Sequence, residues 1–174
     1  MVEINITPIY ATFVGVAQPY ITNGLLLYSH DVYTISYLLE ASGLTIDPEY
    51  VMSIIQNIEE YDEVMGLCRF PVEHVREAET LLATIPHTSS KVDRVVQLIE
   101  GMESSYGLRL LSLTHWYATL YSIKYGAQAT PEDLEAYMRE SNLTSTSQKH
   151  PLADHIDTAY SRLQSQGWLG NLHL

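Results

Sequence analysis

Cysteine is nearly absent: Cys68 stands alone in 174 residues. One cysteine excludes an internal disulfide, and a reducing cytoplasm is the simplest setting for such a chain. Lysine and arginine are also scarce, nine in all. Direct nucleic-acid binding rests on those residues neutralising phosphates, so it is not expected, and neither is attraction to an anionic membrane. No run of 18 apolar residues exists, which excludes a membrane-spanning helix. The opening MVEINITPIY has no basic segment and does not read as a signal peptide. The chain has no GxGxxG, Walker A loop, CxxC, HExxH or GxSxG. Its seven histidines (His30, His74, His87, His115, His150, His155 and His173) are scattered, and one cysteine cannot complete a zinc set with them. These absences predict no cofactor, no metal and no catalytic residue, and so a chain that is not an enzyme.

What is present is apolar residues and acid. Hydrophobic residues make up 46% of the chain, enough for a core. The length fits a single domain over 1–174, with no linker to divide it. Twenty-one Asp and Glu give a net charge of -12. Such a field draws in a basic partner and speeds the encounter. The same acidity also serves simple solubility.

In chain order, residues 1–30 read as β-rich. Val2, Ile4 and Ile6 alternate with polar residues, and Ala11–Val16 and Ile21–Tyr28 are rich in strand-forming types. Gln18-Pro19 and Asn23-Gly24 supply turns. Five tyrosines, Tyr10, Tyr20, Tyr28, Tyr33 and Tyr37, fall within 28 residues and suit either a core or an interface. Residues 31–85 read as an acidic helical segment. One helix covers 31–41; a second starts at Asp47-Pro48 and buries Val51, Ile54, Ile55 and Ile58. It runs into Glu59-Glu60-Tyr61-Asp62-Glu63. A brief strand at Leu67–Phe70 precedes a helix opened by Pro71. Residues 40–80 hold ten carboxylates against Arg69 and Arg76. Residues 86–174 read as helical, with a loop at Pro86–Ser90, a helix started by Thr130-Pro131-Glu132-Asp133, a polar loop at Ser141–Lys149, and a last helix from Pro151 to about Gln166. Gly167 ends that helix, and Trp168-Leu169 is expected to fold back on the core.

The most informative stretch is Lys91–Tyr121. Val92, Val95, Val96 and Ile99 give one helix an apolar face, and Gly101 ends it. Ser104 or Ser105 caps the next, whose Leu108, Leu111, Leu113, Trp116, Tyr117 and Leu120 surround it. That second helix is expected to be the spine, with His115 a core histidine and Trp116 packed beside it. The run from Leu98 through Glu100-Gly101-Met102-Glu103-Ser104-Ser105-Tyr106-Gly107 to Leu111, followed by Thr114-His115-Trp116, resembles the C-terminal domain of the DarG antitoxins. A closing stretch, His150-Pro151-Leu152 with Ile156, Ala159, Tyr160, Leu163 and Gly167-Trp168-Leu169, is similar to that family's last helix. The resemblance covers about residues 91–169. Ser105 stands where the family has proline, and Arg109 where it has glutamate.

The resemblance implies an antitoxin module that holds a DarT-type ADP-ribosyltransferase, which modifies thymine in single-stranded DNA, by mimicking that DNA. A groove for single strands offers cations to phosphates and apolar or aromatic contacts to bases. A mimic answers with carboxylates and rings, so the candidate contacts are Glu59, Glu60, Tyr61, Asp62 and Glu63, then Glu73, Glu77, Glu100 and Glu103. The same residues also read as solvated helix ends. The expected fold is α+β, helix-rich, with a small N-terminal antiparallel sheet in a winged-helix-like arrangement. Two other classes stay open. A winged-helix regulatory or nucleic-acid-associated module would show a basic stripe from Lys91, Arg94, Arg109 and Lys124. A small enzyme would show a deep pocket holding His115 and carboxylates.

Overall fold

A computed structural model describes residues 6–58, 60–141 and 153–169. Several sequence readings fall outside the described residues: the Val2 and Ile4 alternation, Glu59, the loop beyond Ser141, the His150-Pro151-Leu152 helix start, and His173. The described residues form eight helices and two short strands. They divide into two compact units, Met1–Leu108 and Arg109–Leu174.

The first unit is built on α1 (Pro8–Thr22), where the sequence suggested strands. Thr7 caps it by accepting the Tyr10 N–H at 3.4 Å, and Pro8 occupies its first turn. Tyr10, Ala11, Thr12, Phe13, Val14, Val16, Ala17 and Tyr20 are all buried. Strand propensity measures the fit of branched and aromatic side chains to a half-buried pleat. Burial around most of the helix overrides it here. The Thr12 hydroxyl donates to the Pro8 carbonyl at 2.7 Å, which satisfies a buried polar group.

Around α1 stand α2 (Ser29–Ala41), α3 (Pro48–Ile55), α4 (Val72–Ala83) and α5 (Pro86–Ile99). α4 packs on α1 most extensively and α5 next. Gly15 permits that approach: a Cβ there would lie 2.9 Å from both Leu82 Cδ1 and Val92 Cγ1. The expected loop at Pro86–Ser90 is instead the first turn of α5, with Pro86 at a position that needs no N–H. β1 (Leu27–Tyr28) pairs antiparallel with β2 (Leu67–Cys68), Leu27 opposite Cys68. The small sheet is thus present, but it joins two connections between helices, and strands of two residues do not establish a winged helix.

α6 (Ser105–Tyr125) is the expected long helix. Ser104 caps it by accepting the Gly107 N–H at 2.9 Å. Leu108, Leu111, Thr114 and Ala118 on it are buried, while Trp116, Ile123 and Tyr125 are about half exposed.

The second unit contains the rest of α6, α7 (Pro131–Glu140) and α8 (Ala153–Ser165). α7 and α8 pack together, with Leu134, Met138, Ile156, Ala159 and Leu163 buried. Tyr160 donates to the Ala129 carbonyl at 2.8 Å. Trp168 and Leu169 are buried, as the fold-back required, and Trp168 stands edge-on to His115 with ring centres 6.1 Å apart. Tyr117, Tyr121 and Tyr125 form a ladder along α6 beside Tyr137.

α7 opens with a reciprocal cap. Thr130 N–H donates to Asp133 Oδ2 at 2.9 Å, and Asp133 N–H to Thr130 Oγ1 at 3.2 Å. The Thr130 backbone bond, then its side chain, holds the Asp133 pKa below the usual aspartate range. A carboxyl depressed on folding contributes stability that is complete above its unfolded pKa and lost as pH falls through the folded one. Asp133→Asn is therefore expected to lower stability at neutral pH and to converge with the parent chain in acid. Denaturant midpoints measured down the acid limb check this; parallel curves would reject it.

Candidate partner-binding site

The acidic run between α3 and β2 is held by backbone geometry. Asp62 and Leu67 exchange N–H···O bonds of 3.1 Å in both directions. Asp62 Oδ1 accepts the N–H groups of Val64 at 3.1 Å and Met65 at 3.0 Å, so one of its oxygens is committed to the turn. Glu60 and Glu63 are exposed, and Val64 and Met65 project beside Glu63 at 93% and 63% exposure. Glu73 and Glu77 lie one turn apart on the exposed side of α4. Glu100 follows α5 and is exposed, and Glu103 is half-buried before α6. The predicted carboxylates are thus distributed over three parts of the first unit. Glu103 still acts on the interior: burial first, then Asp31, then Glu103 raise the Tyr20 hydroxyl pKa.

Tyr61, one of the predicted residues, lines a cavity. A space of about 420 Å³ is lined by His30, Tyr33, Glu49, Ser53, Gln56 and Tyr61. α2 and α3 pack together and supply most of its wall. Tyr33 donates to Glu49 Oε1 at 2.9 Å, and this bond is the main cause of the raised Tyr33 pKa. Glu49 sits in the first turn of α3, where its own N–H donates to the capping Asp47 at 3.0 Å.

Behind this wall lies a buried carboxyl group. Asp31 is 1% exposed. Its Oδ2 accepts the Tyr28 N–H at 2.9 Å and the Ser105 hydroxyl at 3.0 Å. His30 Nε2 lies 3.1 Å from Ser105 Oγ and 3.4 Å from Asp31 Oδ1, with its ring stacked on Tyr28. The trio has the composition of a nucleophile relay but not its order. A relay needs one imidazole nitrogen on the serine and the other on the carboxyl. Here a single nitrogen faces both, and the serine proton already goes to the carboxyl. The trio is a brace between the starts of α2 and α6.

Cys68 is 6% exposed, and burial, with Asp31 adding, pushes its thiol pKa up to about 12. A thiol so raised is a poor nucleophile. Among the described residues no group of three or more His, Cys, Asp or Glu is placed to hold a metal ion. No helix among them is long and apolar enough to cross a membrane.

No family model matches the chain, and no solved structure matches it. Two curated relatives do, from Mycobacterium bovis and Mycobacterium tuberculosis. Each is named DNA ADP-ribosyl glycohydrolase and is 45% identical over 47 residues. A segment of this chain is similar to those glycohydrolases. The match takes in 27% of the chain and 13% of each relative's length. It supports the DarG resemblance over a segment and not across the whole chain. It also corrects one expectation. The chain was predicted not to be an enzyme, yet the relatives it matches carry an enzyme's name.

The sequence missed Tyr33, Glu49, His30 and Asp31. Asp31 had a local signal, since an acid three residues into a helix can receive the N–H that precedes it. Nothing in the sequence pairs residue 33 with residue 49, because that contact depends on how two helices pack.

Proposed function

We propose that the chain binds a DNA-modifying ADP-ribosyltransferase of the DarT type and blocks its single-stranded DNA site. The observation that carries this reading is the 45% identity over 47 residues to proteins named for ADP-ribose chemistry on DNA. The DarG-like run around Gly101 and Tyr106-Gly107 supports it. The net charge of -12 supports it as well, because a groove built for phosphates presents lysine and arginine. Glu60, Glu63, Glu73, Glu77 and Glu100 offer exposed carboxylates to such a groove, and Tyr61 offers a ring. Asp62 shapes the loop that carries two of them.

The test mixes the chain with a DarT-type enzyme and follows modification of a thymine-containing single strand. Stoichiometric inhibition that weakens with salt is expected. Glu60→Gln with Glu63→Gln should weaken it roughly three- to ten-fold, an effect of lost charge complementarity. Asp62 is left intact so that the loop keeps its shape. Absence of inhibition at micromolar concentration against several such toxins would sink the proposal. A second arm supplies DNA that is already ADP-ribosylated, with no toxin present. Loss of ADP-ribose there would give the chain the hydrolase activity named in its relatives in place of blockade.

A further inference from the structure

We infer that the cavity walled by α2 and α3 takes the guanidinium group of an arginine side chain from a basic protein partner. This rests on the reading of a basic partner given above, and it names the chemistry by which one anchor of that partner is held.

An arginine brings five N–H donors in a planar fork and a permanent positive charge. The cavity offers what such a group needs. Glu49 presents a carboxylate whose Oε1 is already fixed by the Tyr33 hydroxyl at 2.9 Å, which leaves Oε2 for a charge-assisted bond. A carboxylate held before binding loses little freedom on binding. Ser53 donates its proton to the Tyr50 carbonyl at 2.6 Å, so the oxygen it turns to the cavity is an acceptor. Gln56 lies on the same wall, and its amide carries an oxygen that can accept.

Rings supply the second contact. Tyr33 is 46% exposed and Tyr61 is half-buried, and both line the space. Guanidinium planes stack on such faces. Among the described residues no lysine or arginine lines the cavity. His30 Nε2 lies against Ser105 Oγ at 3.1 Å. The capping Asp47 beside Glu49 adds negative potential. An anionic ligand meets the opposite: the Glu49 carboxylate in the lining and a chain of net charge -12. The volume of about 420 Å³ admits the side chain with accompanying water.

The probe is N-acetyl-arginine amide, titrated into the full chain and followed by backbone amide NMR, with the lysine and norleucine analogues as controls. Saturable shifts are expected at residues 29–33, 49–56 and 61. The lysine analogue should bind several-fold more weakly, because an ammonium cannot use carboxylate and ring together as a planar fork does. Glu49→Gln should weaken arginine binding about ten-fold, the loss of one charge-assisted bond. Tyr33→Phe, which releases Glu49, should weaken it by roughly half that factor. Absence of saturable shifts, or shifts indifferent to Glu49→Gln, would overturn the site.

The toxin assay then separates the two proposals. Glu49→Gln that loses both arginine binding and inhibition assigns a toxin arginine to the cavity. Wild-type chain that binds the arginine derivative yet inhibits no toxin keeps the cavity and rejects the ADP-ribosyltransferase as its partner. Glu49→Gln that loses arginine binding but inhibits like the parent chain overturns the cavity as a partner anchor.

Discussion

Gly107→Ala is expected to destabilise the chain by about 2 to 3 kcal/mol, the cost of forcing an atom into a close-packed site. Helix propensity alone predicts the opposite sign, since alanine gains roughly 1 kcal/mol over glycine inside a helix. The geometry decides between them. Gly107 is buried in the first turn of α6, and a Cβ there would lie 2.3 Å from the Met102 carbonyl oxygen and 3.0 Å from its carbon. Both are backbone atoms, so no rotamer change relieves the clash. The connection cannot yield freely either. Met102 N–H donates to the Ile99 carbonyl at 2.8 Å, Ser104 N–H to the Met102 carbonyl at 2.8 Å, and Gly107 N–H to Ser104 Oγ at 2.9 Å. Accommodating the methyl group means giving up part of this set. A urea midpoint that falls with the m-value unchanged is the expected result. An unchanged or raised midpoint would show that the connection moves at no cost.

In the sequence that glycine stands within the DarG-like run, just after the Ser104 or Ser105 cap. Helix starts in general were the most legible features, because their chemistry is local: Asp47-Pro48, Ser104 and Thr130-Pro131 all cap as read. Pro86 was misjudged as part of a loop for want of a capping side chain before it; its N-cap is Ile85, which makes no side-chain cap bond. The largest error was α1. Its Tyr, Val, Phe and Thr are strand-forming types, and its apolar residues go most of the way round, so no helical stripe separates from the background. Only its packing against four neighbouring helices reveals why. Composition is silent on exposure in the same way: α6 is apolar in type yet leaves Trp116 and Tyr125 half exposed.

The candidate site divides along the same line. The acidic run was visible as composition, and Tyr61 within it does reach a cavity. What composition could not show is that Asp62 turns its carboxyl back onto its own loop, or that Tyr33 and Glu49 meet across two helices. Charge counted along the chain says how strongly a surface attracts a cation. Where a single cation is gripped depends on contacts between residues far apart in sequence.

Asp31→Ala carries the second large effect, an expected loss of about 3 kcal/mol. Asp31 joins residues 74 apart through the Ser105 hydroxyl, and it also receives the Tyr28 N–H at the start of α2. Removing it leaves a part-buried N–H and a part-buried hydroxyl without their acceptor, and groups left so cost more than the bond itself contributed. Ser105→Ala should cost less, about 1 kcal/mol, because Asp31 keeps its Tyr28 bond. In the double variant the losses should fall short of additive, since both changes remove the same bond. Full additivity would mean that Asp31 stabilises the chain through Tyr28 alone. The pair also gives physical meaning to a departure from the DarG-like run. Ser105 occupies the position where that family has proline, and it is the first residue of α6. Proline suits such a position by needing no N–H, but it has no hydroxyl to give. Ser105→Pro is therefore expected to keep α6 while losing the bond to Asp31, and its stability should match that of Ser105→Ala within roughly 0.5 kcal/mol. A much larger loss would show that the serine backbone, and not its hydroxyl, is what this position requires.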